Sequence, residues 1–120
     1  MLRFVVLHHR DWLGHADHYD LMLQKSEGSS DDAAVLATYS TTTDVFPTGS
    51  NQRLIVNHDH RRAYLTFEGP LSQNRGRVER VDSGILEWLD PQTVRLSGSR
   101  LAGTFQLKPA DGGSVTFTHV

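Results

Sequence analysis

Histidines are concentrated in two short segments of this 120-residue chain. Imidazole nitrogens bind transition metals and exchange protons near neutral pH, so two clusters of them indicate a metal site or acid–base chemistry. The first segment holds His8, His9, His15 and His18, and the second holds His58 and His60.

The first segment runs into His18-Tyr19-Asp20-Leu21-Met22-Leu23. If this stretch is a strand, alternate residues face opposite sides, so Tyr19, Leu21 and Leu23 face the core while His18 and Asp20 share the other face. An imidazole and a carboxylate without sulfur suit Mn²⁺, Zn²⁺ or Fe²⁺. The alternative is a surface hydrogen bond between the two side chains, because the H-x-D spacing is common by chance.

A third ligand is expected just upstream. His8 or His9 ends the first predicted strand, and the following loop can fold a ring back toward His18. His15 is the other candidate. The competing interpretation places these histidines in a solvated loop.

The second segment is followed by a predicted strand, Ala63 to Phe67. Its alternation puts Leu65 and Phe67 in the core and Tyr64 on a polar face, four residues after His60. A histidine and a tyrosine beside a metal can bind phosphate oxygens or give a proton to a leaving oxygen. An ordinary amphipathic strand would show the same tyrosine.

Arg75, Arg77 and Arg80 follow, and guanidinium groups suit phosphate oxygens. The valines among them are out of phase for a regular strand, which predicts a β-bulge near Glu79-Arg80. Scattered arginines on a solvated strand face are the alternative.

Short β-type runs separated by turn residues dominate the chain and predict a mostly-β, single-domain barrel or sandwich of about eight to ten strands over residues 1–120. Asp111-Gly112-Gly113 predicts a hairpin turn, and Ser40 to Gln52 predicts a loop. The predicted strands are Arg3–Leu7, Tyr19–Gln24, Ala33–Tyr39, Arg53–Asn57, Ala63–Phe67, Arg77–Val81, Gly84–Leu89, Thr93–Leu96, Thr104–Leu107 and Val115–Val120. For Ala33–Tyr39 a helix is the alternative, because of its alanines.

Composition narrows the class of protein. The chain has no cysteine, which excludes disulfides and thiolate zinc sites. Its net charge of −2 argues against a generic basic nucleic-acid binder, so a phosphate ligand must be held by local arginines or by a metal. No apolar run reaches the length of a membrane span and the apolar start lacks a signal-peptide pattern, so we expect a cytoplasmic protein.

Together these segments resemble the 3′-phosphoesterase domain of bacterial DNA ligase D and its small stand-alone relatives. The resemblance covers most of residues 3 to 107. It rests on Phe4-Val5-Val6 leading to a histidine, His18-Tyr19-Asp20-Leu21-Met22-Leu23, Asp59-His60, Tyr64-Leu65-Thr66-Phe67-Glu68-Gly69-Pro70, Arg75-Gly76-Arg77-Val78, Asp82-Ser83-Gly84 and Glu87-Trp88.

The resemblance implies a compact β-barrel with its site on the outer face. It implies a manganese-dependent enzyme that removes a 3′-phosphate or a terminal ribonucleoside from DNA or RNA, leaving a 3′-OH for separate repair ligases or polymerases. By position, His18 and Asp20 match metal ligands, and His60 and Tyr64 match phosphate-contacting catalytic residues. Arg53 lies close to the position of a phosphate-binding arginine of the family, from which its spacing differs by one residue. Arg77 is the second candidate for substrate binding.

Two positions depart from the family pattern. The first metal histidine of the family stands six residues before His18, where this chain has Trp12, so His9 is taken as the ligand. Ligase D domains carry an arginine where this chain has Met22, as the stand-alone branch also has. A non-catalytic phosphate- or nucleic-acid-binding barrel is therefore the first alternative. A cupin-like metal enzyme with ligands His58, His60 and Glu68 is the second.

Overall fold

The computed structural model describes residues 1–43 and 51–120. These residues form nine β-strands and one turn of 3₁₀ helix between the fourth and fifth strands. The strands are β1 (Arg3–Arg10), β2 (His18–Gln24), β3 (Leu36–Thr41), β4 (Gln52–Val56), β5 (Gly69–Pro70), β6 (Arg77–Asp90), β7 (Thr93–Gly98), β8 (Ala102–Ala110) and β9 (Ser114–His119), and the 3₁₀ helix is Arg62–Leu65.

Eight of the strands close into an antiparallel barrel in the order β1-β2-β3-β4-β9-β8-β7-β6, and β1 pairs with β6 to complete the ring. The short β5 adds to the start of β6 outside this ring. The predicted all-β barrel is confirmed. Closure pairs the backbone groups that an open sheet would leave exposed at its two edges.

Two apolar clusters lie on opposite faces of β1 and β2. Phe4 and Leu21 belong to the cluster that fills the barrel interior. The alternate residues Leu7 and Met22 belong to a smaller cluster on the outer face, which also contains Leu65 of the 3₁₀ helix. The segment after β4 therefore covers the outside of these strands. Because β1 and β2 are buried on both faces, polar side chains at the ends of these strands are shielded from solvent.

The strand predicted over Ala63–Phe67 is wrong. The segment turns locally instead, because the Ala63 carbonyl accepts the N–H groups of Thr66 and Phe67. Leu65 is buried as expected, but Phe67 is 37% exposed rather than in the core. An apolar pattern of two residues cannot separate a strand from a single helical turn.

Other boundaries differ more modestly. Arg77–Val81 and Gly84–Leu89 are parts of one long strand, β6, and β3 begins at Leu36 rather than Ala33. The predicted bulge is present in β6, one residue beyond Arg80: Val6 pairs with Asp82 and Leu7 pairs with Arg80, leaving Val81 unpaired. The predicted loop over Ser40–Gln52 includes residues of β3 and β4 at its two ends, and residues 44–50 lie outside the described part.

Among the described residues, no helix has the length and apolar character needed to cross a membrane.

Candidate metal centre

The antiparallel register of β1 and β2 brings three potential ligands together. His9 is directly opposite His18, and Asp20 follows His18 by two residues on the same strand face. Opposed and diagonal side chains on one face of an antiparallel pair lie within contact distance. The position of His9 therefore does not depend on the loop between the strands, since strand pairing sets it.

His9, His18 and Asp20 each offer one ligand atom, and these atoms all lie within 4.8 Å of one another. His18 Nε2 is 3.3 Å from Asp20 Oδ2, and His9 Nδ1 is 4.0 Å from the same oxygen. His9 and Asp20 are only 7% and 3% exposed. This buried group can bind a metal ion, and we refer to it as the His-His-Asp group.

The remaining polar atom of each ligand is held by the protein. His9 Nε2 donates to the Arg75 carbonyl at 2.6 Å, and His18 Nδ1 donates to the Ala16 carbonyl at 3.1 Å. A carbonyl only accepts hydrogen bonds, so each neutral ring keeps its lone pair on the nitrogen that faces Asp20. The Ser40 hydroxyl donates to Asp20 Oδ1 at 2.6 Å and leaves Oδ2 toward the histidines. Such outer hydrogen bonds orient metal ligands.

The charges of the group are mutually stabilising. In its protonated form, His18 donates a hydrogen bond from Nε2 to Asp20. This bond is the main reason that the pKa of the imidazole lies above its ordinary value, against the opposing effect of partial burial. Burial opposes ionisation of Asp20, but hydrogen bonds from His18 and Ser40, with the nearby charges of His18 and His60, outweigh it and lower the pKa of the carboxyl. The carboxyl group is thus ionised at neutral pH and attracts a cation.

Two imidazole nitrogens and one carboxylate oxygen suit a divalent transition ion. Calcium and magnesium sites consist mainly of oxygen ligands, so the donor set does not favour them. Three protein ligands also leave coordination positions for water or substrate, as in catalytic rather than closed structural sites. The residues present therefore fit a divalent transition metal.

A tight turn before β6 supports His9. Gln73 and Asn74 have φ angles of 61° and 54°, and Gly76 has φ 81°. A Cβ atom on Gly76 would lie 2.2 Å from the Arg10 carbonyl oxygen, so only glycine permits this approach of the turn to the end of β1. The turn directs the Arg75 carbonyl at His9. This role of the turn was not predicted from the sequence, although asparagine and glycine both favour turns.

The His-His-Asp group lines an open cleft of about 950 Å³ on the outer face of the barrel. The resemblance implies a site on the same face. The 3₁₀ helix and the bridge between His60 and Leu36 place the second histidine segment on the same cleft.

His60 and Tyr64 both line this cleft, with ring centroids 5.6 Å apart. His60 Nδ1 donates to the His58 carbonyl at 2.9 Å, so Nε2 is the nitrogen available for other partners. Burial is the main cause that lowers the pKa of His60 below its ordinary value, and this histidine is neutral at pH 7. The structure therefore brings both predicted catalytic residues to the cleft that holds the His-His-Asp group.

Arg53 lines the cleft as expected, but Arg77 is not among the described lining residues and pairs with Asp11 at 2.9 Å. Its neighbour Arg75 lines the cleft instead. Arg53 donates to Ser114 Oγ and to the Asp111 carbonyl, and Arg75 donates to Ser72. Within residues 1–43 and 51–120, neither guanidinium is paired with a carboxylate, so both keep positive charge for an anion.

The histidines left open by the sequence separate clearly. His8 stacks on Tyr19 and His15 stacks on Trp12, so His9 alone of the three upstream candidates joins the group found in the described chain.

Ser40, which supports Asp20, was missed because its role depends on the pairing of β2 with β3.

The described residues do not assemble the cupin-like ligand set. The rings of His58 and His60 stack at 4.3 Å, whereas Glu68 accepts a hydrogen bond from the Arg80 backbone N–H and lies 3.6 Å from its guanidinium.

Comparisons with protein-family models and with curated proteins give no match for this chain. The case for a metal centre therefore rests on the geometry of its own residues.

Proposed function

We propose that this chain is a divalent-metal-dependent phosphoesterase that removes the 3′-phosphate from a DNA or RNA strand. The observation that carries the proposal is a shared cleft: the His-His-Asp group, the pair His60 and Tyr64, and the cation of Arg53 all line it. A cleft that combines a metal group with unneutralised guanidinium groups suits a phosphate ester. The resulting 3′-OH is the end that ligases and polymerases need for strand repair.

His9, His18 and Asp20 are the residues that would hold the metal. When bound there, a divalent ion supplies a Lewis acid for a phosphoryl oxygen. Manganese is the ion we propose, because two nitrogens and one carboxylate leave its other positions to oxygen ligands from water and phosphate. Zinc suits the same donors and is the competing ion.

His60 is proposed to handle the proton of the reaction. Burial keeps it neutral in the free protein, and a phosphate dianion next to its ring would favour the protonated form. The protonated ring can then give its Nε2 proton to the leaving 3′-oxygen as the bond between phosphorus and that oxygen breaks. A water molecule forms the new bond to phosphorus, and the proton that it loses returns to the His60 ring, so the products are a 3′-OH and inorganic phosphate. The Tyr64 hydroxyl and the Arg53 guanidinium stabilise negative charge on the phosphoryl group.

The test is release of inorganic phosphate from a 3′-phosphorylated oligonucleotide, in DNA and RNA versions, with Mn²⁺ and with chelator. We expect release only with metal, and a loss of at least about 100-fold in His18→Ala and Asp20→Ala. The control is His119→Ala, since His119 is an exposed histidine outside the cleft. Full activity in either ligand variant, or in chelator, would overturn the proposal.

A non-catalytic phosphate- or nucleic-acid-binding barrel is the second candidate. The observation in its favour is Met22, which is 1% exposed and lines the cleft where ligase D domains carry an arginine. This candidate predicts metal-dependent binding of the same oligonucleotide without phosphate release. One titration and one release assay on the same sample separate the two functions.

A further inference from the structure

A row of aromatic rings leads from the His-His-Asp group to the rim of the cleft. The ring of His9 stacks on Trp12 with centroids 5.1 Å apart and planes inclined by 16°. Trp12 stacks on His15 with centroids 3.7 Å apart and planes inclined by 17°. All three residues line the cleft, and we call them the ring ladder.

The ring ladder is set by the backbone of the loop between β1 and β2. The N–H of His15 donates to the Trp12 carbonyl at 2.9 Å, which closes a turn that brings the two rings together. Asp11 and Gly14 adopt φ angles of 63° and 85° within this turn. The Asp17 carboxylate accepts the N–H of Asp11 at 3.2 Å and links the two ends of the loop.

The outer end of the ring ladder is open to solvent. Trp12 is half-buried and His15 is exposed. Aromatic rings at the rim of a nucleic-acid cleft serve as platforms for bases, because every base has a flat face that can stack. Arg53 and Arg75 line the same cleft, and their guanidinium groups can bind the phosphates of the strand.

We propose that the ring ladder binds the base of the 3′-terminal nucleotide, stacked at its exposed end, while the 3′-phosphate of that nucleotide lies at the His-His-Asp group. The proposal rests on the proposed function and defines its substrate class as an unpaired 3′ end. A base within a duplex already stacks on its neighbours, so it must leave the helix before it can join the ladder. Single-stranded or frayed ends are therefore preferred to blunt duplex ends.

A binding experiment tests the proposal without catalysis. The chain has two tryptophans, so Trp88→Phe leaves Trp12 as the fluorescent residue. Mn²⁺-loaded protein is titrated with a single-stranded oligonucleotide that ends in a non-hydrolysable 3′-phosphonate, and with the same strand lacking its terminal base. We expect the fluorescence of Trp12 to be quenched by the first strand and much less by the second. Trp12→Phe in the otherwise natural chain should remove this signal, which covers the case where Trp88→Phe does not fold.

His15→Ala measures the contribution of the exposed ring. Its affinity for the complete strand should fall about tenfold, while its affinity for the strand without the terminal base stays within about twofold. Metal affinity should be unchanged, since His15 is not in the His-His-Asp group. A fall in metal affinity equal to the fall in strand affinity would show that the ladder only supports His9, and would overturn the proposal.

The two proposals fail in different ways. Base-dependent quenching without phosphate release would retain the stacking site and reject the phosphoesterase. Phosphate release with equal quenching by both strands would retain the phosphoesterase and reject the stacking site. Equal rates on blunt duplex and single-stranded ends would also reject the preference for unpaired ends.

Discussion

Ser40→Ala removes the hydroxyl that donates to Asp20 Oδ1 at 2.6 Å. Ser40 is not a member of the His-His-Asp group, so this change leaves all three ligand atoms in place. It also adds no atoms, so packing against the outer face of β2 is retained. The variant therefore isolates the support of one ligand from the ligands themselves.

The expected magnitude follows from the charge and burial of Asp20. A hydrogen bond to a charged group contributes about 1.5–3 kcal/mol, and at 3% exposure water cannot replace the lost donor. We expect the metal-free variant to lose about that much of its free energy of unfolding. Metal affinity should fall about 10- to 100-fold, because Oδ1 is no longer fixed and Oδ2 loses its orientation.

Isothermal titration of the variant and the natural chain with Mn²⁺ and Zn²⁺ measures the affinities, and urea unfolding measures stability. Ser97→Ala is the matched control, since Ser97 is exposed on β7 and outside the cleft. Ser40→Thr keeps a hydroxyl and should restore part of the affinity. Metal affinity within twofold of that of the Ser97→Ala control would refute the reasoning that Ser40 positions Asp20.

Three further changes probe other parts of the structure. Lowering the pH should weaken metal binding, because the metal must displace a proton from His18. Since the pKa of His18 is raised, the loss of metal affinity should begin at a higher pH than the protonation of an ordinary histidine. Metal titrations in buffers from about pH 5.5 to 8 can show this. Gly76→Ala should lower both the melting temperature and metal affinity, because its Cβ atom would lie 2.2 Å from the Arg10 carbonyl oxygen and would displace the Arg75 carbonyl from the site. Asp82→Asn should lower the free energy of unfolding by about 3 kcal/mol or more, measured by urea denaturation, since this 6%-exposed carboxylate accepts four backbone N–H groups.

Each of these expectations has a control. Equal metal affinity at about pH 6 and about pH 8, which lie on either side of the ordinary pKa of histidine, would contradict proton displacement. Gly113→Ala has the same backbone strain at φ 67° but meets no atom within 4 Å, so it should leave metal affinity unchanged; equal losses in both glycine variants would contradict the role of Gly76. A change of melting temperature below about 2 °C in Asp82→Asn would show that Asp82 does not stabilise the turn before β8.

The alternation of His18-Tyr19-Asp20-Leu21 was sufficient to assign the two faces of β2. Leu21 is fully buried and His18 and Asp20 share the outer face, as predicted. His9 lies beside His18 and Asp20, because antiparallel pairing sets its position whatever the length of the loop. Local periodicity therefore determines the part of the site that lies on strands.

Residues outside the strands were harder to predict. Arg77 was preferred to Arg75 as a cleft residue, yet the non-glycine residues Gln73 and Asn74 adopt left-handed conformations that turn the chain and aim Arg75 at the site. Such conformations leave only a weak trace in sequence. Ser40 was missed for a different reason, since its contact with Asp20 depends on a cross-strand register that one sequence does not encode locally.

The most direct measurement of the central claim is anomalous X-ray diffraction from crystals grown with Mn²⁺ and recorded near the manganese absorption edge. We expect one strong peak in the cleft, bound by His9 Nδ1, His18 Nε2 and Asp20 Oδ2, as the proposed metal centre requires. A peak bound by His58, His60 and Glu68, or no peak in a well-ordered cleft at millimolar Mn²⁺, would contradict it.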